Sequence, residues 1–329
     1  MKTVLKILGG LVLLVVVAAS GFYAYVSLTW ERDYASTPLP NIHASAAPEV
    51  IARGEYVANA IGHCSGCHQQ RHGIMTAASV DFTKPLSGGL VFDVPMFGKF
   101  VAANLTPDKA TGIGALSDGV VARAIRTGVG RHGKILPFML FAAGPMSDED
   151  LTALISWLRV QPAVTQQGEG EAWGFAAKAL AGAFKPRVSA PPKYVPPGVE
   201  PSVERGRYLA QGPADCRGCH TPLDMMTLAF SGPDFSGSKD AEPDASRPGF
   251  EIVIPNLTPD PETGHITSWS EEAFLLRLHA GRVIAGSKMP WENFARMTDA
   301  DVRSVYRYLR TVPPTRHAVG PTYRKAGGG

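Results

Sequence analysis

The sequence predicts an all-α protein: two tandem copies of one small helical module behind an N-terminal apolar helix. Three observations lead there. A long apolar stretch opens the chain, a set of short strings recurs at a fixed offset, and the intervening segments carry apolar stripes at helical spacing. The 329 residues accommodate two modules of ordinary size once a leader and a linker are set aside.

The leader comes first. Ile7 to Leu28 is 22 residues without a charge, preceded by Lys2 and Lys6 and followed by Glu31 and Asp33. A cleaved signal peptide carries an apolar region of roughly 7–15 residues, and a membrane span needs about 20. Length favours a span over residues 1–30, with Tyr23, Tyr25 and Trp30 as interfacial aromatics and the N-terminus on the cytoplasmic side of the inner membrane. The alternative is a signal peptide cut near Ala18-Ala19-Ser20-Gly21. Either reading sends the remainder to the periplasm, anchored in one case and soluble in the other.

The repeat comes next. Arg53-Gly54-Glu55-Tyr56-Val57-Ala58 returns 152 residues later as Arg205-Gly206-Arg207-Tyr208-Leu209-Ala210. Asn104-Leu105-Thr106-Pro107-Asp108 returns as Asn256-Leu257-Thr258-Pro259-Asp260, and Met146-Ser147-Asp148-Glu149-Asp150 returns, shifted by one, as Met297-Thr298-Asp299-Ala300-Asp301. A two-copy repeat of this length indicates tandem domains, at 48–160 and 202–315. Each copy opens on a helical pattern, from Pro48 in the first. Each closes on a helix capped by Ser147 or Thr298, with acidic residues at its positive end. Leu151, Leu154, Ile155 and Leu158 form one apolar stripe; Val302, Val305, Tyr306 and Leu309 form the other. Gly128 and Gly281 end a further short helix in each copy. Residues 161–201 read as a Pro-rich, extended linker, with a possible packing helix between Glu171 and Phe184. Residues 316–329 read as a flexible tail.

The formal charge is +3, with no basic stripe, so nucleic acid is not an expected partner. No phosphate loop, nucleophile–base pair or paired carboxylate points to substrate chemistry.

The cysteines carry the chemistry. Cys64-Ser65-Gly66-Cys67-His68 and Cys216-Arg217-Gly218-Cys219-His220 use all 4 cysteines of the chain. Cys-x-x-Cys-His is the attachment string of a c-type haem. Two thiols on one helical turn meet one porphyrin edge, and the next histidine reaches the iron. A four-thiolate zinc site wants its pairs roughly 15–20 residues apart. A thioredoxin-like pair wants a βαβ context, absent here. Two disulfides would leave both histidines unexplained. The expected cofactors are therefore two covalent haems, on Cys64, Cys67 and His68 and on Cys216, Cys219 and His220.

On these motifs the chain resembles class I c-type cytochromes, in particular the dihaem or multihaem subunits of membrane-bound dehydrogenases acting on alcohols, aldehydes or gluconate. The resemblance covers both modules. It implies a distal methionine in a Met-Pro-aromatic loop before the last helix. Met289-Pro290-Trp291 matches. In the first module the loop is longer by three residues, counted from Gly128 and Gly281, and Leu140 stands where proline is expected. Met139 is the expected ligand there; Met146 is the alternative, although it aligns with Met297 and reads as structural. If the loop does not deliver Met139, the first haem is expected to be high-spin or ligated by His132 or His72. The resemblance also implies that Gly54 and Gly206 let the first helix cross the last closely, against Trp157 and Tyr308. Tyr56 and Tyr208 are expected to pack, and the Asn-Leu-Thr-Pro-Asp turns to cover a haem face.

The expected function is one-electron relay, with no catalytic residue, from a periplasmic or membrane-bound dehydrogenase to a quinone or oxidase of the respiratory chain. The alternative is a dihaem oxidoreductase acting on thiosulfate or peroxide.

Overall fold

The computed structural model describes residues 2–69, 80–168, 170–182, 184–224, 229–244 and 246–327. Its longest element is α1 (Lys2–Thr29), exposed throughout apart from Val26. This helix is long and apolar enough to cross a membrane.

The first half then runs through α2 (Pro48–Tyr56), a π turn (Val57–Ile61), α3 (Ser65–His68), β1 (Val91–Val94), β2 (Gly98–Val101), α4 (Asp118–Thr127), α5 (Met139–Ala142) and α6 (Asp148–Arg159). Strand β3 (Ala172–Trp173) and α7 (Phe175–Ala181) follow. The second half contains α8 (Val203–Gln211), α9 (Cys216–His220), β4 (Leu223–Asp224), β5 (Ala229–Phe230), β6 (Ala241–Pro243), β7 (Phe250–Val253), α10 (Glu271–His279), α11 (Trp291–Phe294), α12 (Asp299–Leu309) and β8 (Tyr323–Lys325). The order of helices is the same in both halves.

Local chemistry accounts for the helix ends. Ser147 Oγ accepts from the Asp150 N–H and Thr298 Oγ1 from the Asp301 N–H, which satisfies otherwise orphaned donors. Helix α4 stops at Gly128, whose φ of +71° suits glycine.

The opening and closing helices cross at their glycines. A Cβ on Gly54 would lie 1.9 Å from the Ala153 carbonyl oxygen and 2.7 Å from Trp157 Cβ. On Gly206 it would lie 1.9 Å from the Ser304 oxygen and 2.8 Å from Tyr308 Cβ. Beneath each crossing, Leu154, Ile155 and Leu158, or Val302, Val305 and Leu309, are buried. Gly206→Ala is therefore expected to lower the denaturant unfolding midpoint. Overpacking costs about 1–3 kcal/mol or more and exceeds the helix-propensity gain of about 1 kcal/mol.

The all-α expectation is corrected in one respect. Three small antiparallel sheets accompany the helices among the described residues, in the orders β1-β2-β3, β4-β5 and β6-β7-β8. Each strand has four residues or fewer, too short for its alternation to stand out. The terminal segment expected to be flexible is held: β8 pairs with β7, Tyr323 stacks on Phe250 at 5.2 Å, and Arg324 pairs with Glu251 at 2.6 Å. The start of the expected linker folds back on the first half. Asn104 Nδ2 donates to the Val164 carbonyl at 2.7 Å, and β3 pairs with β2.

Candidate functional site

Each Cys-x-x-Cys-His string forms a single helical turn. In the first, His68 N–H donates to the Cys64 carbonyl at 2.9 Å, which brings both cysteines and the histidine onto one short element. The preceding residues, His63 and Asp215, occupy the left-handed region with φ of +40° and +47°. Such backbone strain persists where surrounding structure enforces it. No disulfide joins the four cysteines. Burial pushes the Cys64 and Cys216 thiols up to about 12. A thiol–disulfide exchange centre needs the opposite shift.

The histidines are oriented alike. His68 Nδ1 lies 2.8 Å from the Ala103 carbonyl oxygen, and His220 Nδ1 lies 3.1 Å from that of Pro255. A carbonyl only accepts, so Nδ1 carries the proton and the lone pair is on Nε2. Burial lowers both pKa values, His220 to about 4, so the neutral ring is the favoured form. A neutral imidazole locked through Nδ1–H is the donor that a haem iron requires. The residues present thus fit a c-type haem at each string.

The same carbonyls explain the repeated Asn-Leu-Thr-Pro-Asp strings. Ala103 and Pro255 immediately precede them. Asn104 Oδ1 accepts from the Thr106 N–H at 2.9 Å, and Asn256 Oδ1 accepts from the Thr258 N–H at 2.9 Å. Asp108 and Asp260 each accept from the N–H and hydroxyl of a threonine three residues on. The turns are thereby rigid, and each aims a backbone acceptor at a histidine. This role was not legible in the strings themselves.

The methionines divide by burial. Met146 and Met297 are 6% and 4% exposed and belong to the core. Met139, at the start of α5, and Met289, just before α11, are half-buried. An arginine reaches the carbonyl of each: Arg187 Nη2 donates to Met139 O at 2.9 Å, and Arg282 Nη2 to Met289 O at 3.4 Å. Arg282 is also paired with Glu292 at 2.7 Å. His132 is exposed, and His72 lies outside the described residues.

The two halves interlock through residues expected only to pack. Arg53 and Arg205 make two-pronged ion pairs with Asp150 and Asp301 of their own halves, with closest contacts of 2.8 Å. Each aspartate then accepts from a tyrosine of the other half. Tyr208 OH reaches Asp150 Oδ2 at 2.6 Å, and Tyr56 OH reaches Asp301 Oδ2 at 2.7 Å. Burial, then the aspartate charge, pushes both phenols up, so they remain donors. Asn293 Nδ2 donates to the Asn59 carbonyl at 3.0 Å and to Ser65 Oγ at 2.8 Å. It ties the first Cys-x-x-Cys-His string to the helix that follows Met289. The π turn at Val57–Ile61 presents that Asn59 carbonyl; π turns concentrate at functional sites. A cavity of about 480 Å³ lies between the halves, lined by Arg126, Met146 and Arg187 on one side and Asp215 and Arg217 on the other. Burial pushes the Asp215 carboxyl up to about 7, against the pull of Arg187. The signal for these contacts was present, since Arg53, Tyr56 and Asp150 all have copies near the 152-residue offset. Nothing in the pattern said that the tyrosines cross over.

No family model matches the chain. The cytochrome c subunit of the quinone alcohol dehydrogenase of Gluconacetobacter polyoxogenes is 28% identical over 292 residues, covering 82% of this chain and 58% of that protein. The gluconate 2-dehydrogenase cytochrome c subunit of Pantoea cypripedii is 31% identical over 283 residues, covering 80% of this chain and 59% of that protein. The chain is homologous to cytochrome c subunits of dehydrogenases. A dihaem c-type cytochrome of Cereibacter sphaeroides is 28% identical over 287 residues, covering 83% of this homologue and 89% of that protein. The chain spans 58–59% of the length of the two dehydrogenase subunits. Cytochrome c relatives imply covalently bound haem c.

Proposed function

We propose that this chain is a dihaem c-type cytochrome that carries single electrons between a dehydrogenase and the respiratory chain, by way of a quinone or an oxidase. It is read as two tandem domains, 48–160 and 202–315, anchored to the inner membrane through α1 with the domains in the periplasm. The observation that carries the reading is the pair of histidines, each fixed through Nδ1 on a backbone carbonyl.

Cys64 and Cys67, and Cys216 and Cys219, would hold the two haems as thioethers, with His68 and His220 as proximal ligands and Met139 and Met289 as distal ones. When bound, each haem supplies a one-electron ferric–ferrous couple. The protein's part is to hold that couple still. Ala103 and Pro255 fix the imidazoles, Arg187 and Arg282 fix the methionine loops, and the tyrosine–aspartate contacts fix one half against the other. Dehydrogenase association is supported by the names of the relatives.

Spectroscopy on variants tests the ligand set. Met139→Ala and Met289→Ala are each expected to remove the methionine–iron charge-transfer band from one haem and lower its midpoint potential, since a thioether ligand raises it. Met146→Ala is expected to leave both bands in place. A first-haem band lost in Met146→Ala but kept in Met139→Ala would reverse the assignment.

A further inference from the structure

The outer end of α1 is not free. Tyr23 stacks on Phe175 of α7 at 5.1 Å, and Phe22 meets the same ring edge-on at 6.0 Å. Trp30 lies 5.0 Å from Trp173, and Lys178 sits over the Trp30 ring at 5.2 Å. Tyr34 OH donates to the Phe184 carbonyl at 2.8 Å. Val129, Ile135, Leu140, Ala181 and Phe184 form a separate apolar cluster, against which Trp30, Tyr34 and Trp173 pack. The helix is thus joined to the first half by a packed aromatic junction.

The depth of that junction follows from helix geometry. The apolar run ends at Leu28, and Tyr23 and Phe22 lie five and six residues before it. At 1.5 Å per residue they sit about 8–9 Å inside the outer end of the run. The whole run is about 33 Å long, close to the roughly 30 Å hydrocarbon core of a bilayer. If α1 spans, Phe175 is carried to about that depth, within the roughly 5–10 Å to which interfacial apolar faces bury below the headgroups. It is 39% exposed despite its two ring contacts. The β1–β2 hairpin tip stands beside it: Gly174 N–H donates to the Phe97 carbonyl at 2.7 Å, and Met96 at the tip is 82% exposed. An exposed methionine and an exposed phenylalanine thus flank the foot of an apolar helix.

We propose that Met96, Trp173 and Phe175 form, with Trp30, an apolar collar seated in the outer lipid–water interface, which turns the first half towards the membrane. Aromatic and apolar side chains of this kind favour that interface. The collar is continuous with the loop of the first candidate distal ligand. Trp173 meets Phe100 at 5.2 Å, Phe100 meets Phe138 at 5.2 Å, and Phe138 precedes Met139. The haem assigned to Cys64 and Cys67 is then the membrane-side member of the pair. This inference rests on the anchoring and haem assignments proposed above.

The test uses the full haem-loaded chain in phosphatidylcholine liposomes containing a phospholipid with a diazirine high on one acyl chain. After irradiation, lipid adducts are mapped by peptide mass spectrometry. Adducts are expected on α1, on the hairpin tip around Met96 and at the start of α7. None is expected around Val199 or Val283, which are 93% and 68% exposed. The double variant Met96→Glu, Phe175→Glu is expected to lose the collar adducts and keep those on α1. Adducts on α1 with none on the collar would overturn the seating and leave the anchor standing. A mature chain lacking the α1 residues, with no adducts anywhere, would overturn the anchor and the seating together.

Discussion

Serine at both Cys64 and Cys67 is expected to leave a chain with one covalent haem instead of two, in reduced yield. Intact mass and haem staining after denaturation measure the first effect, and periplasmic yield measures the second. Each thioether takes one sulfur of the string and the variant has neither, while the second string keeps its own pair, so loss should be confined to one site. Cys64 packs, half-buried, against the core of the folded chain. A porphyrin joined there is expected to enter while the chain is open and to become part of the core as it closes. Without it, the core against which Cys64 packs has less apolar surface to bury. The loss spreads, because Asp150 accepts from Tyr208 of the other half. Two covalent haems in the double-serine chain would refute the assignment. One haem at undiminished yield would refute the coupling between halves.

The sequence disclosed the parts of this protein that depend on side-chain identity at fixed spacing. Ser147 and Thr298 announce helix starts; Cys64, Cys67 and His68, with their copies, carry the string on which the proposed haem sites rest; and the close crossing at Gly54 and Gly206 was implied by the resemblance. It was silent where a function belongs to the backbone. The carbonyls of Ala103 and Pro255 orient the histidines, and any residue supplies a carbonyl. It was also silent on relations between copies. The repeat reveals that Tyr56 and Tyr208 are equivalent, yet the same pattern suits a tyrosine that packs within its own half and one that reaches across. The short strands were missed because four alternating residues such as Val91–Val94 carry little signal. The strand at Tyr323–Lys325 depends on a partner, Phe250–Val253, some seventy residues away in the chain.

Asp301→Ala is expected to cost about 3–5 kcal/mol, the range for leaving one member of a buried ion pair without its partner. Asp301 is 1% exposed; its carboxylate takes Arg205 at 2.8 and 3.0 Å and Tyr56 at 2.7 Å. Its removal leaves the Arg205 side chain, 3% exposed, with the Val195 carbonyl at 2.6 Å as its hydrogen-bond acceptor. Asp150→Ala should cost less. The Arg53 side chain is 15% exposed, so water can solvate part of the abandoned charge. Tyr56→Phe removes a hydrogen bond to a charged acceptor, worth about 1.5–3 kcal/mol, and leaves the ion pair intact. Denaturant unfolding at fixed haem content gives all three values, and a double-mutant cycle on Tyr56 and Asp301 gives their coupling. Equal, small losses for the two aspartates would mean that neither holds a buried charge. An apolar replacement of similar volume is often as stable as a buried ion pair, but it makes no directional demand. The carboxylate oxygen that accepts the phenol already accepts from the arginine, which restricts the directions left to the phenol, and two such contacts related by the repeat leave little freedom of rotation between the halves. A variant with Tyr56→Phe and Tyr208→Phe should therefore keep both haems and both ion pairs, at a loss of about 3–6 kcal/mol for the two bonds, yet show a broadened haem–haem distance distribution by pulsed electron spin resonance of the oxidised protein.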